Sequence, residues 1–425
     1  MNDQANGVVE RLDTAPAAST AWNRHDTTWM LGLFGTAIGA GTLFLPISAG
    51  MGGFWPLLAL AILAFPMTFY AHRGLTRFVL SGRNGGDITE VVEEHFGKGA
   101  GAMITLLYFF AIFPILLIYS VGLTNTVSSF LQNQMHLEPP PRALLAFVLI
   151  LGLLVVVRCG ERVIVKVMSL MVYPFIVSLL FLSVFLIPHW NGGILSTAST
   201  LPEASSFLPA LWLAIPVMVF SFNHTPIISA FAVDQKRLYG DQAEVRSSRI
   251  LARAHLLMVF MVLFFVFSCV LTLSPAQLAE AKAQNLSILS YLANHFRNPT
   301  IELVAPLIAL VAISKSFLGH YIGASEGFKG LVLKSGLRPG AKTLDRLTAL
   351  AMLLVCWVVA ILNPSILGMI EKLGGPVISV LLFLMPMYAI RKVPAMRQYA
   401  GKLSNAFVVA AGVVAISALV WSLAH

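Results

Sequence analysis

Charged side chains are scarce in this sequence. Of its 425 residues, 11% are Asp, Glu, Lys or Arg and 57% are hydrophobic, whereas a typical soluble domain is about 25% charged. The mean hydropathy of +0.82 points the same way. Long apolar runs separated by short basic loops exclude a string of soluble domains and predict an all-α membrane protein that crosses the bilayer many times.

Cysteine and the common catalytic motifs are equally sparse. Cys159, Cys269 and Cys356 lie far apart, without a CxxC or a Cys/His cluster in the sequence, which argues against a disulfide framework and a zinc site. The chain has no GxxxxGKS/T, no HExxH, and no GxSxG in a strand–turn–helix setting, which argues against a P-loop pump and an enzyme. We therefore expect no metal, no cofactor and no catalytic residues.

A basic run and a cleavable leader are absent as well. The net charge is +9, but Lys and Arg form no stripe, so we expect no nucleic-acid partner. The expected partners are the lipid bilayer and a small-molecule substrate, with no obligate protein partner. The first 26 residues are polar and lack a basic start followed by an apolar core, so 1–26 are predicted to be a cytoplasmic tail.

Eleven apolar stretches approach the roughly 20 residues that a helix needs to span the hydrocarbon core. The fourth is short, and the tenth contains two charged residues. The predicted spans cover residues 28–50, 55–79, 100–131, 143–157, 162–187, 207–232, 250–272, 301–324, 346–362, 366–390 and 404–423.

Basic residues mark one side of the membrane. Of the 28 Lys and Arg residues, 23 fall in the N-terminal tail and in the even-numbered loops between spans. Because cytoplasmic loops are enriched in Lys and Arg, the N-terminus is predicted to be cytoplasmic. With an odd number of spans, the C-terminus is predicted to be external.

The first span reads LFGTAIGAGTLFLP and carries Gly35, Gly39 and Gly41 near its middle. Each glycine disfavours a continuous helix by about 1 kcal/mol, so this span is predicted to be interrupted. Close helix packing through the GxxxG of Gly35 and Gly39 is the alternative interpretation.

The sixth span reads IPVMVFSFNHTPIIS and has polar or helix-breaking residues at its centre. Proline removes a backbone donor, and polar side chains are costly in hydrocarbon unless they face a cavity. We predict a second interruption here, with a proline kink whose polar groups are all satisfied as the alternative. The residues concerned are Ser221, Asn223, His224, Thr225 and Pro226.

Interrupted spans at corresponding points of two halves indicate the binding site of a transporter, and these two breaks lie about 180 residues apart. The spacing predicts two inverted repeats of five spans each, at 27–190 and 207–390. An external loop at 191–206 joins the repeats, and a cytoplasmic loop and the eleventh span follow at 391–425.

The two breaks together favour a zwitterionic ligand. A half-helix that starts near Gly41 would point free amides and its positive dipole end at a carboxylate. Carbonyls around 36–38 and 220–222 can accept hydrogen bonds from an ammonium group, and Ser221, Asn223 and Thr225 can bind a small hydroxyl group. An amino acid is the natural ligand.

Lys315 lies about fourteen residues from the outer end of the eighth span, and a lysine at a helix centre costs roughly 2.5–3.5 kcal/mol on insertion scales. It either snorkels to the cytoplasmic interface or binds and releases a proton during transport. Two other candidates are weaker. Lys166 lies near the start of the fifth span, where snorkelling is common, and His224 can equally be a neutral, hydrogen-bonded histidine.

Six segments resemble the bacterial hydroxy and aromatic amino acid permease family of the amino acid–polyamine–organocation superfamily. They read TWMLGLFGTAIGAGTLFLPISAG, FPMTFYAHRGLTRFVLSG, DITEVVEEHFG, LWLAIPVMVFSFNHTPIISAFAV, ISKSFLGHYIGASEGF and LNPSILGMIEKLGGP. The resemblance implies a leucine-transporter-type core, in which two inverted repeats of five helices carry broken helices 1 and 6, plus an eleventh helix.

The resemblance also implies which residues bind the substrate and the coupling ion. The matching segment of span 1, which holds the substrate backbone in this superfamily, contains Thr36, Gly39, Ala40, Gly41 and Thr42. The matching segment of span 6 contains Ser221, Phe222, Asn223 and His224. Lys315 is close to the cation position of sodium-coupled members, whereas some proton-coupled relatives use a lysine in span 5, which keeps Lys166 as the alternative.

The resemblance implies a secondary active transporter of the bacterial inner membrane. The FSFNH segment suggests the branch for small hydroxy amino acids, and the expected activity is import of L-serine by proton symport through alternating access. Three alternatives stay open: a wider range that includes threonine, sodium coupling, and an amino acid sensor that does not transport. One methyl group discriminates substrates by only about 1–3 kcal/mol.

Overall fold

The computed structural model describes residues 21–83, 85–159, 161–198, 202–296 and 298–424, without the side chains of 161–169 and 419–424. Within these ranges the backbone is mostly helical and forms no β-strand. The helices are α1 Arg24–Ala37, α2 Ala40–Met51, α3 Phe54–Leu80, α4 Ile88–Asn133, α5 Arg142–Arg158, α6 Glu161–Phe185, α7 Ala204–Ser221, α8 Ile228–Tyr239, α9 Ala243–Thr272, α10 Pro275–Ala283, α11 Ile288–His295, α12 Pro299–Lys334, α13 Ala341–Leu362, α14 Ile366–Lys392 and α15 Leu403–Ala424.

The predicted spans coincide with these helices. By length and hydropathy, the described residues contain seven helical stretches able to cross a membrane, or eight if the bent pair α1–α2 is one span. One of the seven, Ala204–Thr272, has 69 residues and includes α7, α8 and α9, while α5 has only 17 residues. The prediction of an all-α, multi-pass membrane protein is confirmed, and the count of eleven spans stays a prediction.

The first span is broken where its glycines cluster. Helix α1 ends at Ala37, α2 begins at Ala40, and the two helices are bent by 56° at the break. Gly39 has φ −149° and ψ −142°, far from helical values. The chain can leave the helix here because glycine has no Cβ to restrict the backbone.

The sixth span is broken as well. Helix α7 ends at Ser221, residues 222–224 are not helical, and a short 3₁₀ turn, Thr225–Ile227, leads into α8. Pro226 lies in that turn and has no N–H with which to continue the helical ladder from α7. Both predicted interruptions are confirmed.

Helices α4 and α12 hold the centre of the molecule together. They are the longest described α-helices, at 46 and 36 residues, and they pack along each other. Small residues permit this contact, because a Cβ on Gly327 of α12 would lie 3.1 Å from Phe109 of α4. The division into repeats at 27–190 and 207–390 stays a prediction.

A buried polar network ties the start of α1 to α8 and α9. Asn23 caps α1 by accepting a hydrogen bond from the N–H of Asp26 at 3.0 Å. Asp26 is fully buried and forms an ion pair with Arg246 of α9. The indole N–H of Trp29 donates to Asp234 of α8 at 2.7 Å. The network therefore holds the first half of the broken span against two neighbouring helices.

We expect the Asp26→Asn variant to be about 3–5 kcal/mol less stable than the natural protein, because it leaves the Arg246 guanidinium buried without its counter-charge. Thermal unfolding of the two proteins in the same detergent would measure the difference. The matched control is Arg83→Ala, since Arg83 is 90% exposed in its pair with Glu94 and such surface pairs contribute little. Equal losses in the two variants would contradict the prediction.

Candidate functional site

The two helix breaks touch each other in the core. The hydroxyl of Thr42, in the first turn of α2, donates to the carbonyl of Ser221 at the end of α7 at 3.3 Å. A Cβ on Gly41 would lie only 2.8 Å from the Cα of Ser221 and 2.5 Å from the ring of Phe220. Glycine at 41 therefore lets the two broken spans meet.

The start of α2 offers free backbone donors at this contact. In the described part of the chain, the N–H groups of Ala40, Gly41 and Thr42 have no hydrogen-bond acceptor. The first N–H groups of a helix lack partners within the helix, and the positive end of the helix dipole lies there. These two properties together suit a carboxylate.

The unwound part of span 6 contributes buried polar atoms that also lack a partner. Asn223 accepts a hydrogen bond from the N–H of Thr225 at 3.2 Å through its side-chain oxygen. Its amide nitrogen, the Nε2 of His224 and the hydroxyl of Thr225 have no partner among the described residues. Leaving such a group unsatisfied costs about 1–3 kcal/mol, so this segment is built to hold a polar ligand or water.

Lys315 of α12 reaches the end of α1. Its ammonium group donates to the carbonyls of Gly35 at 3.1 Å and Ile38 at 3.0 Å, and it lies 4.1 Å from the centroid of the Phe175 ring. The side chain is completely buried. The alternative of snorkelling to the interface is therefore wrong, and the cation sits at the negative end of the α1 dipole.

Ser316 and Tyr119 complete the contact around the first break. The Ser316 hydroxyl donates to the carbonyl of Thr36 at 2.6 Å and lies 2.9 Å from the hydroxyl of Tyr119. A Cβ on Gly39 would lie 2.5 Å from Ser316. Neither Ser316 nor Tyr119 belongs to the predicted site. In the sequence each of these residues is a polar side chain in an apolar span. The sequence does not show on which face of the helix that side chain lies.

The carbonyls expected to receive an ammonium group already have donors within the protein. Thr36 accepts from Ser316, Ile38 accepts from Lys315, and the carbonyl of Phe222 accepts from the Nδ1 of His224 at 3.1 Å. A carbonyl oxygen has two lone pairs, so each keeps capacity for a second donor.

Two predicted side chains bond to their own helices. The hydroxyl of Thr36 donates to the carbonyl of Gly32 at 3.0 Å, and that of Ser221 donates to the carbonyl of Val217 at 2.7 Å. The side chain of Phe222 is fully buried. The side chain of Lys166, the alternative proton carrier, lies outside the described residues.

The fold also creates a histidine cluster that the sequence does not reveal. Ring nitrogens of His72 (α3), His224 and His255 (α9) all lie within 4.8 Å of one another. The rings of His72 and His224 are stacked, with centroids 3.7 Å apart and planes at 12°. The nitrogen lone pairs of His72 and His224 therefore lie in two nearly parallel planes. They cannot both point at one ion, which would have to lie about 2.0–2.1 Å from each nitrogen. This arrangement does not fit a single metal ion.

A cavity of about 850 Å³ opens on the side that carries the basic loops. Its lining includes Ser229 of α8, one residue beyond the start of that helix, and Glu326 of α12. The Ser229 hydroxyl donates to Glu326 at 3.2 Å, and the Tyr108 hydroxyl donates to the same carboxylate at 3.3 Å. The cavity thus leads from the loops towards the second break.

The helical arrangement and the paired breaks belong to a fold that this chain shares with a solved structure. The chain aligns with the crystal structure of MhsT in complex with L-phenylalanine at a TM-score of 0.60 and 14% identity, covering 94% of this chain and 98% of that one. This likeness confirms the predicted fold class.

The model of the tryptophan/tyrosine permease family matches residues 28–422, and the chain belongs to this family. It is 63% identical over 429 residues to the serine transporter SdaC of Escherichia coli strain K12, covering 98% of this chain and 100% of the relative. The corresponding protein of Shigella flexneri is 62% identical over the same length. The resemblance seen in the sequence is confirmed.

We expect Gly39→Ala to lower the free energy of unfolding by about 1–3 kcal/mol, because the new methyl group would collide with Ser316 and push α12 away from the break. Thermal unfolding of the purified protein would measure the loss. Gly32→Ala is the matched control in α1, since a Cβ there meets no atom within 4 Å. Alanine favours a helix by up to about 1 kcal/mol over glycine, so the control should be neutral or stabilising. A loss of stability in Gly32→Ala as large as that in Gly39→Ala would contradict this interpretation.

Proposed function

We propose that this protein imports L-serine across the bacterial cytoplasmic membrane in symport with protons. The substrate class is supported by the identity to serine transporters over the full length of the chain. The observation that carries the coupling proposal is the buried Lys315 ammonium group on the carbonyls of Gly35 and Ile38. A cation in this place joins α12 to the end of α1. The charge of Lys315 therefore controls whether α1, the first half of the broken span, is held against α12.

Proton coupling then follows from the charge of one side chain. Protonated Lys315 donates to two carbonyls at the negative end of α1 and has the Phe175 ring beside it. When the lysine gives up its proton, the charge that strengthens its hydrogen bonds to those carbonyls is lost, and α1 is held less firmly against α12. Proton loss towards the cytoplasm would therefore accompany opening of the cytoplasmic side.

The polar groups at the two breaks suggest how serine binds. The free amides of Ala40, Gly41 and Thr42 would hold its carboxylate. The unpartnered amide nitrogen of Asn223 would donate to its hydroxyl group.

The proposed orientation places the N-terminus and the basic loops in the cytoplasm and the C-terminus outside. In this orientation the cavity beside Ser229 and Glu326 is the release route to the cytoplasm. The two repeats at 27–190 and 207–390 would rock against each other around the breaks, as alternating access requires.

We expect Lys315→Met to abolish accumulation of labelled L-serine driven by an inward proton gradient, while serine exchange across the membrane continues. Methionine fills similar space without a proton to carry. The assay uses proteoliposomes free of sodium, with and without a protonophore. The matched control is Lys98→Met, because Lys98 is an exposed lysine near the start of α4 and its replacement should leave accumulation unchanged.

Normal proton-driven accumulation by Lys315→Met would refute the role of this lysine. Accumulation by the natural protein that requires sodium and ignores the proton gradient would refute proton coupling itself. Serine binding without any uptake would favour the alternative function, an amino acid sensor that does not transport.

We expect Asn223→Asp to weaken L-serine binding by about tenfold, or about 1.4 kcal/mol, and to weaken L-alanine binding less. Aspartate keeps the oxygen that accepts from Thr225 but loses the donor proposed for the serine hydroxyl. Binding of both amino acids would be measured by calorimetry in detergent. Asn405→Asp is the control, since the Asn405 amide donates to the carbonyl of Tyr399, far from the breaks in sequence. Equal losses for serine and alanine would show that Asn223 does not recognise the hydroxyl group.

A further inference from the structure

Three histidines from separate segments of the chain are packed against one another beside the second break. His224 belongs to the unwound segment of span 6, His72 to α3 and His255 to α9. The ring centroid of His224 lies 3.7 Å from that of His72 and 4.8 Å from that of His255. All three side chains are at most 1% exposed.

Hydrogen bonds to backbone carbonyls define the tautomer of each neutral ring. The Nδ1 atoms of His72, His224 and His255 lie 2.8, 3.1 and 2.8 Å from the carbonyls of Thr68, Phe222 and Leu251. A carbonyl oxygen only accepts, so each Nδ1 must carry the hydrogen and each Nε2 must present a lone pair. Each ring therefore has one Nε2 lone pair in the buried core.

Only one of these lone pairs has a donor. The Nε2 of His72 accepts the backbone N–H of His224 at 3.3 Å. In the described part of the chain, the Nε2 atoms of His224 and His255 have no partner. Two buried acceptors, on rings whose centroids are 4.8 Å apart, thus lack a donor, which one added hydrogen would supply.

Charged neighbours do not supply that hydrogen. The titratable groups that act electrostatically on the three rings are the rings themselves and His320 of α12. Within the described residues, no carboxylate of α3, α8, α9 or α12 is among them. A divalent cation would therefore lack both a balancing charge and the convergent lone pairs it needs, whereas a single proton needs only two facing imidazoles.

We propose that His224 and His255 form a second proton-binding site, in which one proton is shared between their Nε2 atoms either directly or through one water molecule. The site deepens the proposed function and rests on it, because it adds a proton carrier that is separate from Lys315. A change in local pH or hydration would load and unload it.

The position of the site links the proton to the substrate. His224 follows Asn223 directly, and its backbone N–H is held by His72 on α3. A proton shared with His255 would add a bond from the same residue to α9. The unwound segment would then be fixed on two sides, with the Asn223 amide nitrogen held in its position near the first break. Proton binding at His224 and His255 therefore favours serine binding.

The direct test is ¹⁵N NMR of the full-length protein, labelled at histidine and reconstituted in lipid, because imidazolium and neutral imidazole nitrogens have distinct chemical shifts. The chain has ten histidines, so the NMR signals of the cluster must be assigned. They are identified by the signals that are lost in the His255→Asn variant. That variant keeps an N–H for the carbonyl of Leu251 but removes Nε2. We expect one imidazolium to appear in the cluster as the pH is lowered from about 8 to about 4.

Transport provides the second readout. In the natural protein we expect the apparent affinity for L-serine, measured in exchange, to improve by about tenfold from about pH 7.5 to about pH 4.5. In His255→Asn this change should shrink to less than about twofold. In His255→Gln, whose amide donates permanently towards His224, the affinity should stay high at both pH values. His295→Asn is the control, since His295 has the same Nδ1 contact with its own helix, at 3.0 Å from the carbonyl of Tyr291, and it should keep the natural pH dependence.

Three results would overturn the proposal. The first is a set of spectra in which all cluster histidines stay neutral throughout, which would mean that a neutral water bridges them. The second is a pH dependence of the apparent affinity for L-serine that is unchanged in both His255 variants. The third is inhibition by Ni²⁺ that His255→Asn abolishes, which would make the cluster a metal site. Failure of the proposed proton symport would be distinguishable from failure of the histidine site. In that case serine accumulation would not depend on the proton gradient, whatever the NMR spectra show.

Discussion

The hydrogen bonds from α12 to the end of α1 are the interaction on which the rest of the structure depends. A broken helix at membrane depth exposes carbonyl and N–H groups that hydrocarbon cannot satisfy. Lys315 and Ser316 supply donors to the carbonyls of Gly35, Thr36 and Ile38. The break is tolerated because its carbonyl side is bonded within the protein, while the N–H side at the start of α2 is left free for a ligand.

The absence of side chains at Gly39 and Gly41 is the second requirement. Each lets a neighbouring backbone or side chain approach to distances that a Cβ would forbid, Ser316 in one case and Ser221 in the other. The same residues that weaken the helix therefore bring the two breaks and α12 together. The absence of a Cβ at Gly39 and Gly41 thus both weakens the helix and permits the close tertiary contacts.

Much of this fold could be predicted from the sequence, because the signals are local. Hydropathy marked the spans, and the clusters of Gly35, Gly39 and Gly41 and of Asn223 to Pro226 marked the breaks. The unusual position of Lys315 was visible as a charge deep in an apolar run. Other site features were not visible: Thr36 and Ser221 bond to their own helices, and Ser316 and Tyr119 join the first break from two other spans.

The sequence by itself determined which segments enter the membrane and where two of them cannot remain helical, because burial of apolar surface and the backbone chemistry of glycine and proline act within a few residues. Only the tertiary structure decided which polar groups meet. His72, His224 and His255 are separated by 152 and then 31 positions, and each alone is an ordinary histidine in an apolar span. Their contact depends on how three helices are rotated about their axes, which follows from packing across the whole core and not from any one segment.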